Sequence, residues 1–388
     1  MTLRKVFHVG PLNKGSSCNP RVNGLKALGL DVDTLDTSSM ASSRFRILNS
    51  LTLRTYLTPS VVEMNAILMK KAAECAPDLV WIDKGTWVYP TTLRRLKRYS
   101  KFIVHHHTDD IHGKGSYFWL HRMGMGLYDL HMTTNRWNVL EMRQKGFSNI
   151  FRVGMGYDQD HHLPPSGRNF PCLHEIVFVG HWEHHSERYV IALREAGMDV
   201  KVWGHNWRKA ADPSLRHLVP LSSDEYIHTI AGSRIALCFL SHRNRNESTG
   251  RSFEIPSIGA FLLAERTDEH EYLYGDGIGA ALFRNEQELV EKAKHYLGNE
   301  SERREVAAVG HSRCISMGLS WGDHMRREWP LVERYLHEGK MPVEGKDDAP
   351  FWTGFRRGDP SDAHLTDEHA ASVACRAIPD PLVPACKA

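Results

Sequence analysis

Short apolar runs alternate with helical stretches along most of this chain, and the alternation stops once and starts again. That pattern constrains the fold more than any single motif does. Strand–helix–strand units build parallel sheets whose two faces are both covered by helices. Residues 3–9 read as a strand, 10–18 as a Gly/Ser-rich loop, and Asn19-Pro20 opens a helix that leads to a strand at 30–35. After Pro59 a long helix leads through Pro77-Asp78 to a strand at 79–82. A helix from Pro90 leads to a strand at 102–104, and strands within 127–134 and at 150–153 flank a helix over 136–145. Residues 154–172 are rich in Gly, Pro, His and Asp and read as a linker. The pattern then restarts, with strands at 175–179, 200–203 and 235–240. The expected organisation is an α/β first domain over 1–160, a linker over 161–174 and a second α/β domain over 175–320. A closing helix over 321–338 is expected to return to the first domain. A polar, proline-rich tail over 339–388 is expected to be disordered.

At 388 residues the chain is too long for one ordinary core. A net charge of +3 gives no reason to expect nucleic acid, although the run Arg94-Arg95-Leu96-Lys97-Arg98 is compatible with weak contact to an anionic membrane. No apolar run approaches the ~18 residues that span a bilayer, and the N-terminus lacks the apolar segment of a signal peptide. The seven cysteines are scattered and none forms a Cys-x-x-Cys pair. A cytoplasmic protein, at most peripheral to the inner face of the membrane, is expected, with neither a disulfide frame nor a structural zinc.

Within the second half, residues 251–265 (RSFEIPSIGAFLLAE) read as loop, short helix, glycine stop and buried strand. Proline belongs in a helix's first turn, so the helix is expected to begin near Phe253 and to end at Gly259. Glu254 then lies at a helix N-terminus beside Arg251 and Ser252. A carboxylate, a guanidinium and free helix amides suit a phosphorylated, hydroxyl-rich ligand. A capped helix with a surface ion pair is the plainer alternative.

Residues 170–320 resemble the nucleotide-sugar domain of GT-B glycosyltransferases. They are most similar to the spore-protein (CgeB-type) glycosyltransferase-like group, which is related to glycosyl transferases group 1. The resemblance is carried by Val179-Gly180 followed by Arg188, by Ser233-Arg234-Ile235-Ala236-Leu237, by Arg251-x-Phe253-Glu254-x4-Gly259, by Phe283-x5-Leu289 and by Tyr296-Leu297-x5-Arg303. The first half resembles the family in layout and in Asp83-Lys84-Gly85. The resemblance implies two Rossmann-like domains facing across a cleft. It implies a nucleotide-diphosphate sugar as donor and a sugar, glycan, lipid-linked or small-molecule hydroxyl as acceptor. It further implies a metal-independent, retaining transfer (a hexosyltransferase-like EC 2.4 activity) with no cofactor.

By the same resemblance Glu254 holds the ribose hydroxyls, since one carboxylate can accept from both hydroxyls of a cis-diol. Arg251 and Arg188 are candidates for the diphosphate by bidentate hydrogen bonding and charge, assisted by the amides near Gly180 and near the start of the 253 helix, and Ser252 is a further nucleotide-sugar-binding candidate. Asn246 stands where the relatives carry a sugar-facing glutamate. For Arg188 an ordinary surface helix position is an equal alternative, and Trp182 serves either base stacking or packing. The run His105–Asp110 follows a strand. Adjacent strand residues point to opposite faces, so three consecutive histidines do not readily surround one ion, and no metal is expected. His107, Asp109 and Asp110 are candidates to bind the transferred sugar or to act as a base on the acceptor. An Asp-rich cap on the next helix is the alternative. Other functions open on the sequence are a non-catalytic nucleotide-sugar-binding or structural protein, a sugar-nucleotide epimerase, and a metal-dependent hydrolase.

Overall fold

A computed structural model describes residues 3–38, 58–112, 119–164 and 172–339. The expected disordered tail lies, from residue 340 on, outside the described residues, as do residues 165–171 of the expected linker. The chain divides into two units. Of the described residues, the first comprises the chain through Gly154, the three residues Arg243–Arg245, and Trp321–Gly339; the second comprises Met155–His242 and Asn246–Ser320.

The first unit holds a parallel sheet of β1 (Lys5–Gly10), β2 (Asp31–Asp36), β3 (Leu79–Asp83), β4 (Phe102–His107), β5 (Leu130–Thr133) and β6 (Ile150–Arg152). Their order is β2-β1-β3-β4-β5-β6. Side chains alternate across it. Val6, Trp81 and Val104 face Leu25 of α1 (Cys18–Ala27) and Met325, Trp329 and Val332 of α12 (Trp321–Glu338). Phe7, Val80, Ile82 and Ile103 face Met64 and Leu68 of α2 (Pro59–Cys75) and Leu93 and Leu96 of α3 (Pro90–Leu96). Both faces are therefore covered, which is why these strands read as continuous apolar runs.

One buried charge crosses this core. Asp83, at the end of β3, accepts from Arg21 Nη2 (2.8 Å) and lies 2.6 Å from His8 Nε2 and 2.8 Å from His106 Nδ1. All four residues are nearly fully buried. Burial alone would raise the Asp83 pKa, but Arg21 and His106 hold it well below the usual carboxylate range. The Arg21 guanidinium also lies 4.5 Å over the Trp321 ring, so α1, α12 and β3 meet at one ion pair.

The second unit holds β7 (His174–Val179), β8 (Val200–Trp203), β9 (Ser233–Cys238), β10 (Leu262–Glu265) and β11 (Ala281–Phe283), parallel in the order β11-β10-β9-β7-β8. Its core joins Phe178, Phe239, Leu263 and Phe283 to α6 (His184–Glu195), α10 (Glu286–Gly298) and α11 (Glu300–Ser316). In each unit the strand order reverses once, between β1 and β3 and between β7 and β9. Open α/β sheets bind ligands beyond the carboxyl ends of the strands at such points.

The helix carrying Glu254, α8, spans Gly250–Ser257 and contains Pro256 in its second turn. It starts three residues before the expected Phe253, which places Glu254 inside the helix instead of at its tip. The proline is accommodated because the carbonyl it leaves without an N–H partner, that of Ser252, accepts the Tyr274 hydroxyl at 2.7 Å. The strand after Gly259 begins at Leu262 and not at Ala260. Three short elements have no period long enough to be read from sequence: α4 (Trp119–Gly124), α9 (Asp268–Leu273) and β11.

Candidate functional site

Arg251 and Glu254 lie one turn apart on α8 and pair directly. Arg251 Nε donates to the carbonyl of Val179 at the end of β7 (3.0 Å), which sets the pair at the β7/β9 reversal. Tyr226, on α7 (Ser223–Ala231), fixes both. Its hydroxyl donates to Glu254 Oε2 at 2.9 Å, and its ring lies 4.2 Å under the Arg251 guanidinium. Glu254 Oε1 and Arg251 Nη2 have no partner among the described residues. A side chain at position 250 would place Cβ 2.8 Å from Glu254 Oε1, so glycine there keeps that oxygen approachable. Burial works against the charged carboxylate, but Arg251, His162 and the Tyr226 hydroxyl lower the Glu254 pKa on balance. The pair thus offers a fixed anionic acceptor and a fixed cationic donor side by side. Nothing local in the sequence marks Tyr226, whose partner Glu254 lies 28 residues further along the chain. His162 stands 5.9 Å from the Tyr226 ring, and its carbonyl accepts the Ser257 hydroxyl (2.7 Å).

The other expected ligands in this unit are placed differently. Ser252 is fully buried. Its Oγ accepts from the Thr249 amide (3.0 Å) and lies 2.7 Å from His270 Nε2, so it caps α8 from within. The Gly180 amide donates to the Trp203 carbonyl (2.9 Å), so it is not left for a diphosphate. Arg188 is 59% exposed and pairs with Glu286 across α6 and α10, without a bond to Arg251 or Glu254 among the described residues. Asn246 donates through Nδ2 to the Ser248 carbonyl (3.0 Å), while its Oδ1 is buried with no partner among the described residues. Trp182 Nε1 donates to Glu187 (2.8 Å) and the ring packs on the core, which favours packing over stacking.

In the first unit the three candidates separate. Asp110 is fully buried and paired bidentately with Arg245, one of its bonds being 2.9 Å from Nη2; Arg245 also reaches Glu141 (2.7 Å). A base so committed cannot take a proton from an acceptor. His107 is also buried, and its Nδ1 accepts from the Asp109 amide at 3.0 Å. Burial is the main cause that takes its pKa down to about 3, so it is neutral and weakly basic. Neither residue is exposed, as a group that binds the sugar or the acceptor would have to be. Asp109 is. Its amide is held by His107 and its carbonyl by Asn138 Nδ2 (2.8 Å), while its side chain stays 43% exposed, 3.6 Å from Lys84 Nζ. Beside the β1/β3 reversal lies a cavity of about 220 Å³, lined by Val9, Met64, Ile82 and Trp87 with Asp83 and Lys84 at one side.

This fold, two parallel Rossmann-like domains, is the GT-B fold, and solved structures agree on it. Sucrose-phosphate synthase from Thermosynechococcus elongatus superposes with a TM-score of 0.62 at 10% identity, covering 86% of this chain and 100% of that one. HepE of Anabaena, solved in complex with UDP-glucose, gives 0.56 at 12% identity, covering 85% and 100%. A putative UDP-N-acetylglucosamine 2-epimerase from Listeria monocytogenes gives 0.51 at 14% identity, covering 89% and 100%. Within the chain, residues 185–322 match the family model described as glycosyl transferase-like. No curated protein matches the sequence. Among the described residues no helix is long and apolar enough to cross a membrane.

Proposed function

We propose that this protein is a glycosyltransferase whose second unit binds a nucleotide-diphosphate sugar. The observation that carries the reading is the Arg251–Glu254–Tyr226 constellation at the β7/β9 reversal, inside the segment that matches the glycosyl transferase-like model. Glu254 Oε1 accepts from the ribose hydroxyls. Arg251, held by the Val179 carbonyl and the Tyr226 ring, meets the diphosphate through Nη2. The charge that develops on the departing diphosphate is then stabilised by a guanidinium already in place, with no reorganisation needed during transfer. No metal is required for that step. The buried, unpartnered Asn246 Oδ1 is the acceptor left for a sugar hydroxyl. A UDP-sugar is the first donor to test, because HepE was solved with UDP-glucose, and retention of configuration is the first outcome to test, on the resemblance to glycosyl transferases group 1. The acceptor enters the first unit beside the 220 Å³ cavity, with Asp109 as its candidate base.

The test is a calorimetric screen of UDP, GDP, ADP and dTDP and their sugars, followed by donor turnover with the tightest binder. Binding of one nucleotide family and release of its diphosphate form support the reading. Return of a C2-epimerised nucleotide sugar without nucleotide release would favour the epimerase alternative.

A further inference from the structure

His105 and His107 lie two residues apart at the end of β4, so the alternation of strand side chains sends both to one face and His106 to the other. The expectation that no ion is bound rests on adjacent residues, and this pair is not adjacent. His121 of α4 meets them. The three ring centroids lie 5.0–5.6 Å apart, and one ring nitrogen from each falls within 4.8 Å of the others. All three side chains are at most 2% exposed.

The carbonyls around them constrain the protons. Nδ1 of His121 lies 3.1 Å from the Gly85 carbonyl and donates to it, which leaves Nε2 a bare lone pair in the neutral ring. That Nε2 is buried with no partner among the described residues. His131 and His105 lie in a row between two carbonyls, with His131 Nε2 2.9 Å from the Met125 carbonyl, the two Nδ1 atoms 3.0 Å apart and His105 Nε2 3.2 Å from the Lys84 carbonyl. Two neutral rings carry two hydrogens for these three contacts, so one contact brings two acceptors together, and the contact at His105 Nε2 is the longest. The backbone is shaped for it. Lys84 and Gly85 both take positive φ, 63° each, an uncommon conformation for a lysine that aims their carbonyls at His105 and His121. A Cβ at Gly85 would fall 2.7 Å from the Tyr128 hydroxyl.

We propose that His105, His107 and His121 form a site for one divalent transition ion, zinc by preference, in the first unit. Three imidazoles are a borderline donor set that suits zinc. His121 and His105 bind through Nε2, each oriented through its other nitrogen by a carbonyl or a second histidine, as metal-bound histidines generally are. His107 completes the set by giving up its contact with the Asp109 amide. Three atoms no more than 4.8 Å apart lie at most about 2.8 Å from their centre, so a contraction of under ~1 Å brings them to the ~2.0–2.1 Å of a zinc–nitrogen bond. The ion ties the end of β4 to the loop after β3 and to α4. It takes no part in donor binding, but His107 in binding it releases the amide of Asp109, the candidate base.

Untagged full-length protein, stripped with a chelator and dialysed, is titrated with Co²⁺ and its visible spectrum recorded, with Zn²⁺ as competitor. One equivalent of Co²⁺ is expected, with the intense visible bands of low-coordinate cobalt, displaced by Zn²⁺. His121→Ala weakens uptake roughly tenfold or more. His242→Ala, in the separate cluster of His185, His242 and Glu265, leaves it unchanged. In case His121→Ala does not fold, the melting temperature of the unsubstituted protein is measured with and without Zn²⁺, and an upward shift is expected. Absence of cobalt bands together with no zinc-dependent shift, or uptake lost in His242→Ala and kept in His121→Ala, overturns the proposal.

Discussion

Glu254→Gln removes the charge from the centre of the proposed donor site while keeping its shape. Glu254 Oε2 is already engaged by Arg251 and the Tyr226 hydroxyl, and Oε1 is the oxygen left for a ligand. A hydrogen bond to a charged group contributes about 1.5–3 kcal/mol, so losing the carboxylate should weaken nucleotide binding roughly 10- to 150-fold. Folding should suffer far less. Arg251 keeps the Val179 carbonyl, the Tyr226 ring and partial contact with water at 32% exposure, so the stability cost is about 1 kcal/mol. The assay is calorimetric titration with the preferred nucleotide, paired with a thermal melt of each protein. The pH dependence follows from the lowered pKa. Stability owed to the ionised Glu254 is fully present above the unfolded value of about 4.3 and is lost as pH falls through the lower folded value. Nucleotide affinity should therefore show no Glu254 titration between neutrality and about pH 4.5. A folded Glu254→Gln protein with unchanged affinity would refute the assignment.

Four further outcomes follow from the same geometry. Arg251→Lys loses the bond to Val179 and the Tyr226 contact, and should weaken a nucleoside diphosphate more than the nucleoside alone, by titration of both. Asp83→Asn leaves Arg21 buried without its counter-charge and should cost about 3–5 kcal/mol in urea unfolding. Tyr274→Phe leaves the Ser252 carbonyl unsatisfied and should cost about 1–3 kcal/mol; in a Pro256→Ala background the restored amide takes that carbonyl, and the cost should shrink in the double-mutant cycle. Burial pushes the Glu328 carboxyl on α12 up to about 8, so the stability it permits is present below its ordinary value and is lost as pH rises from there toward 8. Glu328→Gln should flatten the melting temperature across that range.

Much of the fold was legible because a parallel sheet covered on both faces leaves its strands as short apolar runs between helical periods. The linker composition marked where one sheet ends and the other begins. What escaped depended on partners distant in sequence. Pro256 stays inside α8 because Tyr274 supplies a donor that no local rule contains. Asp110 reads as an open loop carboxylate until Arg245, 135 residues later, closes on it. Ser252 reads as a ligand only while the helix is thought to begin one residue after it. The histidine run was judged on adjacent residues, whereas the spacing that matters is two, and the third ring comes from a six-residue helix too short to show a period. Arg251 and Glu254 were legible as neighbours at an expected helix start, and the helix proves to hold both. Nothing local marks Tyr226, which fixes both.

The central claim is transfer from a donor held by Glu254 and Arg251. Its most direct test is a single incubation of the protein with the tightest-binding nucleotide sugar and a panel of hydroxyl acceptors, read by mass spectrometry for free nucleoside diphosphate and for sugar-bearing acceptor. Equal amounts of both products are expected from the unsubstituted protein, with a loss of tenfold or more in folded Glu254→Gln, by about 1.4 kcal/mol or more of lost binding. Recovery of the donor intact, or equal turnover by the two proteins, would contradict the account.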